Sequence, residues 1–173
     1  MKMRTAASAI AVILSCLRLA HAEPKPINCP QDIYWLDKMA RTDMVEMNLG
    51  NFAQTKAKET SVRTYGTTII ADLSRNLNEL LELAQAKGIN FPYEPNAEQK
   101  IFLNYFENSH SADWGYDYMK FAAENHEHIF SETNREVLLG CDEDVRRYAV
   151  KMLPLLKAHL NSAEDILVEL NHP

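Results

Sequence analysis

The amino-acid sequence predicts an all-α protein built from four long helices that pack as a bundle. Apolar residues recur every three or four positions through most of the chain, which is the spacing of one face of a helix. Glycine occurs only 5 times in 173 residues, too rarely for the frequent turns of a β-sandwich or barrel. The hydrophobic content of 46% is typical of a folded core and argues against a long disordered chain.

The first 22 residues have the layout of a secretory signal peptide. Two basic residues, Lys2 and Arg4, precede an uncharged stretch over residues 5–17, and Ala20-His21-Ala22 is an A-x-A cleavage pattern. The uncharged stretch is shorter than the ~20 residues that a membrane-spanning helix needs. We therefore predict cleavage after Ala22 and an exported protein. A retained membrane anchor and lipidation of Cys16, at an imperfect lipobox, stay open as alternatives.

The charge of the chain bears on its partners. The net charge is −6, and cleavage after Ala22 removes three basic residues and no acidic one, which leaves a net charge of −9. An acidic surface repels phosphate backbones, so we expect no nucleic-acid partner. No apolar run after residue 22 is long enough to cross a bilayer, so we also expect no transmembrane segment in the cleaved chain.

The first two long helices follow a proline-rich segment. Residues 23–31 contain three prolines and are predicted to be an extended lead-in to a helical domain over residues 32–171. The first helix is predicted to end near residue 57, and its apolar face is formed by Ile33, Leu36, Ala40, Met44, Met47 and Phe52. The second is predicted to run from residues 60–61 to residues 87–88, with an apolar face of Val62, Tyr65, Ile69, Leu73, Leu77, Leu80 and Ala84.

Two further long helices follow a connection that contains a short helix. Asn96 and Gln99 form a predicted capping box, which opens the short helix to about residue 107. The third long helix is predicted over residues 111–140, with Trp114, Tyr118, Ala122, His126, Ile129 and Thr133 facing inward. The last begins at Asp142, and its inward residues are Val145, Tyr148, Met152, Leu156, His159, Ala163, Ile166 and Leu170.

The length of the connection predicts the order of the helices. Seven extended residues at ~3.3 Å and a dozen helical ones at ~1.5 Å reach about 40 Å, the length of a long helix in this bundle. The connection can therefore cross the whole bundle, which favours the up-down-down-up order of ferritin-like four-helix bundles. In that order the first and last helices begin at the same end. Cys29 and Cys141 would then lie close together, and we predict a disulfide between them.

Several short motifs resemble a bacterial family of exported, ferritin-like proteins of unknown function, often labelled putative outer membrane proteins. The motifs span residues 33–170, and they are residues 46–53, 62–66, 78–80 and 153–160, together with Ala84, Gly88, Trp114, Tyr118 and His126. The resemblance implies export to the periplasm or the outer membrane, but it supplies no activity. Asp72-Leu73 stands where the family commonly has Asp-His, and Trp114-Gly115 stands where it favours an acidic residue after the aromatic one.

The candidate chemistry lies on the inward faces of the helices. Glu46, His126 and His159 could together supply a carboxylate and two imidazoles to one divalent metal ion. Asp43 and Asp72 are further acidic candidates, although the sequence has no Glu-x-x-His motif of the di-iron type. The favoured interpretation is nevertheless that both histidines are buried groups satisfied by hydrogen bonds to a carboxylate or a tyrosine. In His126-Glu127-His128 the two imidazoles lie on different helix faces, so His128 is predicted to face solvent.

No sequence motif points to a specific reaction. The chain has no P-loop, no dinucleotide-binding glycine motif, no nucleophile elbow and no Cys-x-x-Cys. The favoured hypothesis is a non-enzymatic exported helical module with a structural or binding role and no required cofactor. The alternative is a ferritin-like protein that binds a metal ion with fewer ligands than a di-iron site has. Oxidative chemistry is part of this alternative. A protein or small-molecule partner is not identified by the sequence.

Overall fold

The computed structural model describes residues 26–91 and 94–171, and this part of the chain is entirely helical. Five helices follow one another: α1 Pro30–Lys56, α2 Thr60–Ala86, α3 Ala97–Asn108, α4 Trp114–Leu139 and α5 Glu143–Asn171. The predicted all-α class is thereby confirmed. The predicted signal peptide and Cys16 lie outside the described residues. None of the helices in the described ranges is long and apolar enough to cross a membrane.

The helix ends follow local chemistry, and two of them differ from the predicted positions. α1 begins at Pro30, within the predicted lead-in, because a proline in the first turn needs no intrahelical N–H partner. α4 begins at Trp114, after a turn in which the backbone N–H of Asp113 donates to the Ser111 hydroxyl at 3.2 Å. The predicted capping box of α3 is present. The Asn96 side chain accepts from the Gln99 backbone N–H, and the Gln99 side chain accepts from the Asn96 backbone N–H.

Contacts between distant residues give the direction of each long helix. In α1, Trp35 contacts Thr133 of α4, and further along α1 Glu46 contacts the earlier residue Asn125 of α4. Residue numbers thus rise in α1 while they fall in α4, so these two helices are antiparallel. Along α2 the contacts with α5 run from the Ser61–Glu169 hydrogen bond to the Asp72–His159 pair, so this pair of helices is also antiparallel.

The remaining pair completes the order. α1 and α2 are antiparallel neighbours, since Asn76 of α2 donates to Asp43 of α1 at 2.5 Å while Gly66 lies against Gly50. α1 and α5 therefore run in one direction, and α2 and α4 run in the other. The segment with α3 carries the chain from the end of α2 back to the start of α4 at the other end of the molecule.

The core consists of two apolar clusters stacked along the helix axes. One cluster is centred on Leu49, Ile69 and Tyr118, and the other on Trp35, Leu80 and Met152. Between them lies a set of polar side chains that we call the polar layer, whose members are Asp43, Glu46, Asp72, Asn76, Asn125, His126 and His159. Every long helix switches from one apolar cluster to the other where it crosses this layer.

The end of the bundle where α1 and α5 begin is held by charge pairs and a disulfide. Cys29 and Cys141 are joined, with their Cα atoms 6.1 Å apart. Lys87 is only 5% exposed, and its ammonium group contacts Asp142 at 2.8 Å and Asp144 at 2.6 Å. The predicted disulfide is thus present in the structure, and it joins the first and last helices.

Candidate functional site

Each of the four long helices contributes at least one ionisable side chain to the polar layer. Glu46 comes from α1, Asp72 from α2, His126 from α4 and His159 from α5. Glu46, His126 and His159 are 0%, 2% and 3% exposed. Their helices place them on the inward face because each lies in register with the buried apolar residues of the same helix.

Glu46 is held from one side only. The Asn125 amide donates to its Oε1 atom at 2.8 Å, and Nδ1 of His126 lies 3.7 Å from the same oxygen. Its other oxygen, Oε2, is buried and has no hydrogen-bond partner within the described residues. Burial raises the pKa of Glu46, and the His126 imidazole and the Asn125 amide reduce that rise.

The hydrogen bonds of His126 assign its neutral tautomer. Nδ1 lies 2.9 Å from the carbonyl oxygen of Ala122, one helical turn earlier. Because a carbonyl oxygen only accepts hydrogen bonds, Nδ1 carries the proton in the neutral ring and Nε2 keeps its lone pair. The neutral imidazole can therefore offer Nε2 as an acceptor or as a metal donor.

His159 lies against His126 and is paired with Asp72. The two rings meet edge to face, with centroids 5.2 Å apart and an interplanar angle of 88°. Nε2 of His159 is 3.1 Å from Oδ2 of Asp72, while its Nδ1 is buried without a partner in the described part of the chain. Burial lowers the pKa of His159, the Asp72 hydrogen bond opposes this, and the charge of His126 lowers the pKa further.

A second group in the layer is built around Asp43 and was not anticipated as a unit. The Asn76 amide donates to Asp43 at 2.5 Å, and the Tyr148 hydroxyl donates to the backbone carbonyl oxygen of Asn76 at 3.0 Å. Burial raises the pKa of Asp43 well above its usual value; the Asn76 hydrogen bond lowers it, and the charge of Glu46 raises it further. The sequence carried a signal for this group, because Asn76 lies on the apolar line of α2 between Leu73 and Leu80.

Two tyrosines border the layer on the side of the Leu49 cluster. The rings of Tyr65 and Tyr118 are in edge-to-face contact, with centroids 5.9 Å apart. Both hydroxyl groups are buried and make no hydrogen bond to any described residue. Burial raises the pKa of both hydroxyls, and the negative charge of Glu46 adds to the rise. Both tyrosines therefore stay protonated and can donate a hydrogen bond.

The layer reaches the surface on two sides. Asn125 lines a cavity of about 230 Å³ between α1, α3 and α4, together with Thr42, Glu98 and Phe121. Asp72 and Asn76 line a second cavity of about 260 Å³ between α2 and α5. A polar path thus runs across the bundle from Asn125 through the two histidines to Asp72.

The structure brings the predicted metal ligands close together, although not into one compact set. Glu46 and His126 are adjacent, and His126 touches His159, but the three do not have donor atoms that all lie within 4.8 Å of one another. The only group in the described ranges that meets this distance is Cys29, Asp32 and Cys141, whose sulfur atoms form the disulfide. Simultaneous binding of one ion by Glu46, His126 and His159 would require rotation of at least one side chain.

The structure also shows the surroundings of the other candidate residues that the sequence analysis named. Asp43 belongs to the hydrogen-bonded group with Asn76, and Asp72 pairs with His159. His128 is exposed, as predicted, and contacts Lys38 on the surface at 2.8 Å. Leu73 is 2% exposed and continues the apolar stripe, as its position on α2 indicated.

The fold and the site define an all-helical protein with a buried polar layer, and comparison with known proteins places it among families without an assigned function. Residues 18–166 match the family described as "Domain of unknown function (DUF4142)", and the chain belongs to that family. No curated protein matches the chain. The expectation that the chain belongs to a family of unknown function is thereby confirmed.

A solved structure supports the fold. The chain is similar to the structure described as "Crystal structure of DUF305 fragment from Deinococcus radiodurans", with a TM-score of 0.71 and 12% sequence identity. The match covers 83% of this chain and 99% of the other. At this identity the likeness is one of fold alone.

Proposed function

We propose that the protein is an exported, ferritin-like helical module of the bacterial envelope that binds a ligand in the polar layer. The observation that carries this proposal is the buried Glu46, whose Oε2 atom has no partner among the described residues. An unpaired buried polar atom costs about 1–3 kcal/mol, and apolar residues of similar volume often stabilise a core better than buried charges do. In a purely structural bundle the unpaired oxygen only lowers stability, whereas a bound ligand would satisfy it.

Export is supported by the cysteines and by the start of the sequence. The disulfide between Cys29 and Cys141 is of a kind that persists in oxidising compartments such as the periplasm. The signal-peptide pattern of residues 1–22 is independent of the disulfide and agrees with it. The ferritin-like assignment is supported by helix directions, with α1 and α5 antiparallel to α2 and α4 and a crossing connection between α2 and α4.

A divalent transition-metal ion is the ligand that the donor set suits best. Imidazole nitrogens and a carboxylate are common ligands of iron, zinc and other first-row metals. Nδ1 of His159 and Oε2 of Glu46 are buried and lack partners in the described ranges. Nε2 of His126 is free to coordinate in the assigned tautomer. Asp72 would orient the His159 ring from behind, as carboxylates do behind ligating histidines.

Metal analysis of protein purified without a chelator or a histidine tag tests the binding proposal. The wild type should contain, or take up in calorimetric titration, one equivalent of iron, manganese or zinc. The His126→Gln/His159→Gln double variant should lose binding, with a rise of at least tenfold in Kd. His128→Gln is the matched control, because this histidine is exposed on the same helix. Absence of metal from the wild type, together with no uptake in titration, would leave the structural role in its place.

Cell fractionation tests export separately. The protein should be recovered from the periplasm or outer membrane with residues 1–22 removed, as measured by intact mass. A Cys16→Ala variant distinguishes cleavage after Ala22 from lipidation, because only a lipoprotein would lose its membrane attachment. Recovery of the uncleaved chain from the cytoplasm would contradict the proposed location.

A further inference from the structure

A second buried polar cluster surrounds the disulfide, at the end of the bundle opposite the Leu49 cluster. Asp32 of α1 has no exposed surface, and its two oxygens accept the backbone N–H groups of Cys141 and Asp142 at 2.8 Å each. An oxygen of Asp32 lies within 4.8 Å of both disulfide sulfur atoms. A buried carboxyl group therefore stands beside the S–S bond.

Glu136 adds a second carboxyl group to this cluster. It lies in the last turn of α4 and is wholly buried, and Gln31 donates to its Oε2 atom at 3.0 Å. Its Oε1 atom has no donor partner among residues 26–91 and 94–171. Burial raises the pKa of Glu136 to about 7; Gln31 opposes the rise, the neighbouring Asp32 adds to it, and Arg146 opposes it. Near neutral pH, Glu136 can therefore hold an exchangeable proton beside Asp32.

The chain makes room for Glu136 directly beside Cys141. A Cβ atom at Gly140 would collide with Oε1 of Glu136, so glycine at this position lets the carboxyl group fold back over the helix end. Arg146 donates to the Gly140 carbonyl oxygen at 2.9 Å and holds the turn that follows. The carboxyl pair and the disulfide are thus parts of one local arrangement.

The disulfide is accessible from outside. Cys141 is exposed, and both cysteines, together with Asp32, line a surface cavity of about 450 Å³. The cavity wall also includes Pro26, Ile27 and Pro30. A thiol side chain of a small molecule or of a partner protein can reach Cys141 there.

We propose that Cys29–Cys141 is a thiol–disulfide exchange site whose reaction partner is a dithiol, and that Asp32 and Glu136 move the proton that exchange requires. A thiolate of the dithiol attacks Sγ of Cys141 from the surface cavity, the S–S bond breaks, and Cys29 leaves with the electron pair. Glu136 supplies the proton, and Asp32, whose oxygen lies within 4.8 Å of the Cys29 sulfur, passes it to that sulfur through one water molecule.

The second half of the exchange restores the balance of protons and electrons. The other thiol of the partner attacks its own sulfur in the mixed disulfide, and Cys141 is released and takes a proton from solvent. The partner is oxidised to a disulfide, the protein is reduced to two thiols, and the carboxyl pair regains its proton from solvent. In the reverse direction the pair accepts the proton of Cys29, so that its thiolate can attack.

The position of Asp32 explains why a proton donor is needed. A thiolate that forms beside the Asp32 carboxylate is disfavoured by like charge, and a disfavoured thiolate is a poor leaving group. Protonation by the pair removes that penalty at the moment the bond breaks. A disulfide with a solely structural role makes no use of a proton held at this position.

Reduction of the folded protein by dithiothreitol tests the proposal. The rate is followed by alkylation and mass spectrometry from pH 5.5 to 8.5 and corrected for the thiolate fraction of the reagent. In the wild type the corrected rate should fall as pH rises through about 7, where Glu136 loses its proton. Glu136→Gln should be reduced at least tenfold more slowly at pH 6, and its corrected rate should not change with pH.

Controls separate proton transfer from changes in stability. Glu143→Gln removes an exposed carboxylate near Cys141 and should leave the rate and its pH profile unchanged. Unfolding rates are measured for each variant, because reduction limited by unfolding would follow those rates alone. In Cys29→Ser, oxidised glutathione should form a mixed disulfide on Cys141. Reduction only upon unfolding, or an unaltered pH profile in Glu136→Gln, would overturn the proposal.

Discussion

Glu46 and Glu136 are both wholly buried carboxyl groups, yet their neighbours give them different properties. Glu46 lies between the Asn125 amide and the His126 imidazole, both of which favour its charged form. Glu136 lies beside Asp32, which favours the neutral form. The different neighbours therefore support the two roles that we propose, ligand binding for Glu46 and proton exchange for Glu136.

Glu136→Gln should change how stability depends on pH. The pKa of Glu136 in the folded protein is about 7, raised from 4.5, so its contribution to stability is complete below pH 4.5 and is lost as pH rises through 7. A glutamine cannot ionise and avoids this loss. The free energy of unfolding of the variant, relative to wild type, should rise between pH 4.5 and 7.5 by on the order of 2–3 kcal/mol.

Urea unfolding at several pH values measures this difference. Glu143→Gln serves as the matched control, because its carboxylate is exposed at the start of α5. Parallel stability curves for wild type and Glu136→Gln would mean that Glu136 is already ionised in the folded protein at low pH.

Asn125→Ala should destabilise the polar layer. The substitution removes the amide that donates to Oε1 of Glu46, and Oε2 is already without a partner in the described part of the chain. We expect a loss of about 1–3 kcal/mol in the free energy of unfolding. Asn134→Ala is the control, since Asn134 lies on the same helix and donates only to the carbonyl oxygen of Phe130. Equal losses in the two variants would contradict a special role for Asn125.

Individual residues also mark the limit of what the sequence could predict. His126 and His159 lie on apolar helix faces, so their burial was predictable from periodicity. The partnership of Asp32 with Glu136 was not, because the two are separated by 104 positions and meet only when α1 packs against the end of α4. Glu136 follows Thr133 on the buried face of α4, which was the available signal.

At the scale of elements, the contact between α1 and α2 depends on two glycines. A Cβ atom at Gly66 would lie 2.8 Å from the Gly50 carbonyl oxygen and 3.1 Å from the Ala53 Cβ atom. A backbone atom cannot move aside without separating the helices. The two backbones therefore approach as closely as they do because neither residue has a side chain.

Gly66→Ala should destabilise the protein despite the better helix propensity of alanine. Alanine gains up to about 1 kcal/mol in a helix, whereas overpacking at a close helix contact costs about 1–3 kcal/mol. We expect a net loss of about 1–2 kcal/mol in thermal or urea unfolding. Asn78→Ala, at an exposed position of α2, should be neutral or slightly stabilising. A more stable Gly66→Ala variant would mean that the helices separate easily.

The capping box of α3 allows a local test. Asn96→Ala removes the side chain that accepts from the Gln99 backbone N–H, which should cost about 1 kcal/mol and increase fraying at the start of α3. Hydrogen exchange of the first amides of α3 should accelerate about fivefold, while α2 is unchanged. Asn104→Ala, at an exposed position of the same helix, is the control. Uniform acceleration along the chain would indicate global destabilisation instead.

Helix positions were predictable because each depends on local patterns. Proline and glycine bounded the segments, and the ends of α1, α2 and α3 lie within about two residues of the predicted positions. The start of α4 was less accurate, because the turn at residues 111–113 is stabilised by serine hydroxyl groups whose conformation the periodicity does not encode.

At the scale of the whole molecule, the disulfide joins the start of α1 to the start of α5. Cys29 and Cys141 are 112 positions apart, so the bond encloses most of the described chain. In the chain-entropy account, a bond of this span restricts the unfolded state by roughly 4–5 kcal/mol. The same bond therefore supports the fold while, under our proposal, its exposed side exchanges with thiols.

The Cys29→Ser/Cys141→Ser double variant should fold with the same helical content but unfold more easily. We expect its free energy of unfolding to be lower by roughly 4–5 kcal/mol, as measured by urea unfolding under non-reducing conditions. Wild type reduced and alkylated in urea provides a second sample without the bond. A loss below about 1 kcal/mol in both samples would mean that the unfolded chain is already compact without the disulfide.

The polar layer also fixes how the four long helices align lengthwise. If one helix slid by a turn, about 5.4 Å, its apolar residues would still pack against apolar residues. Its carboxylate or imidazole would however move into an apolar cluster, where it would have no hydrogen-bond partner. Leucine-rich surfaces alone tolerate such slippage, whereas a layer of matched polar partners does not. The layer therefore allows only one lengthwise register of the four helices. The buried side chains that set this register are Asp43, Glu46, His126 and His159.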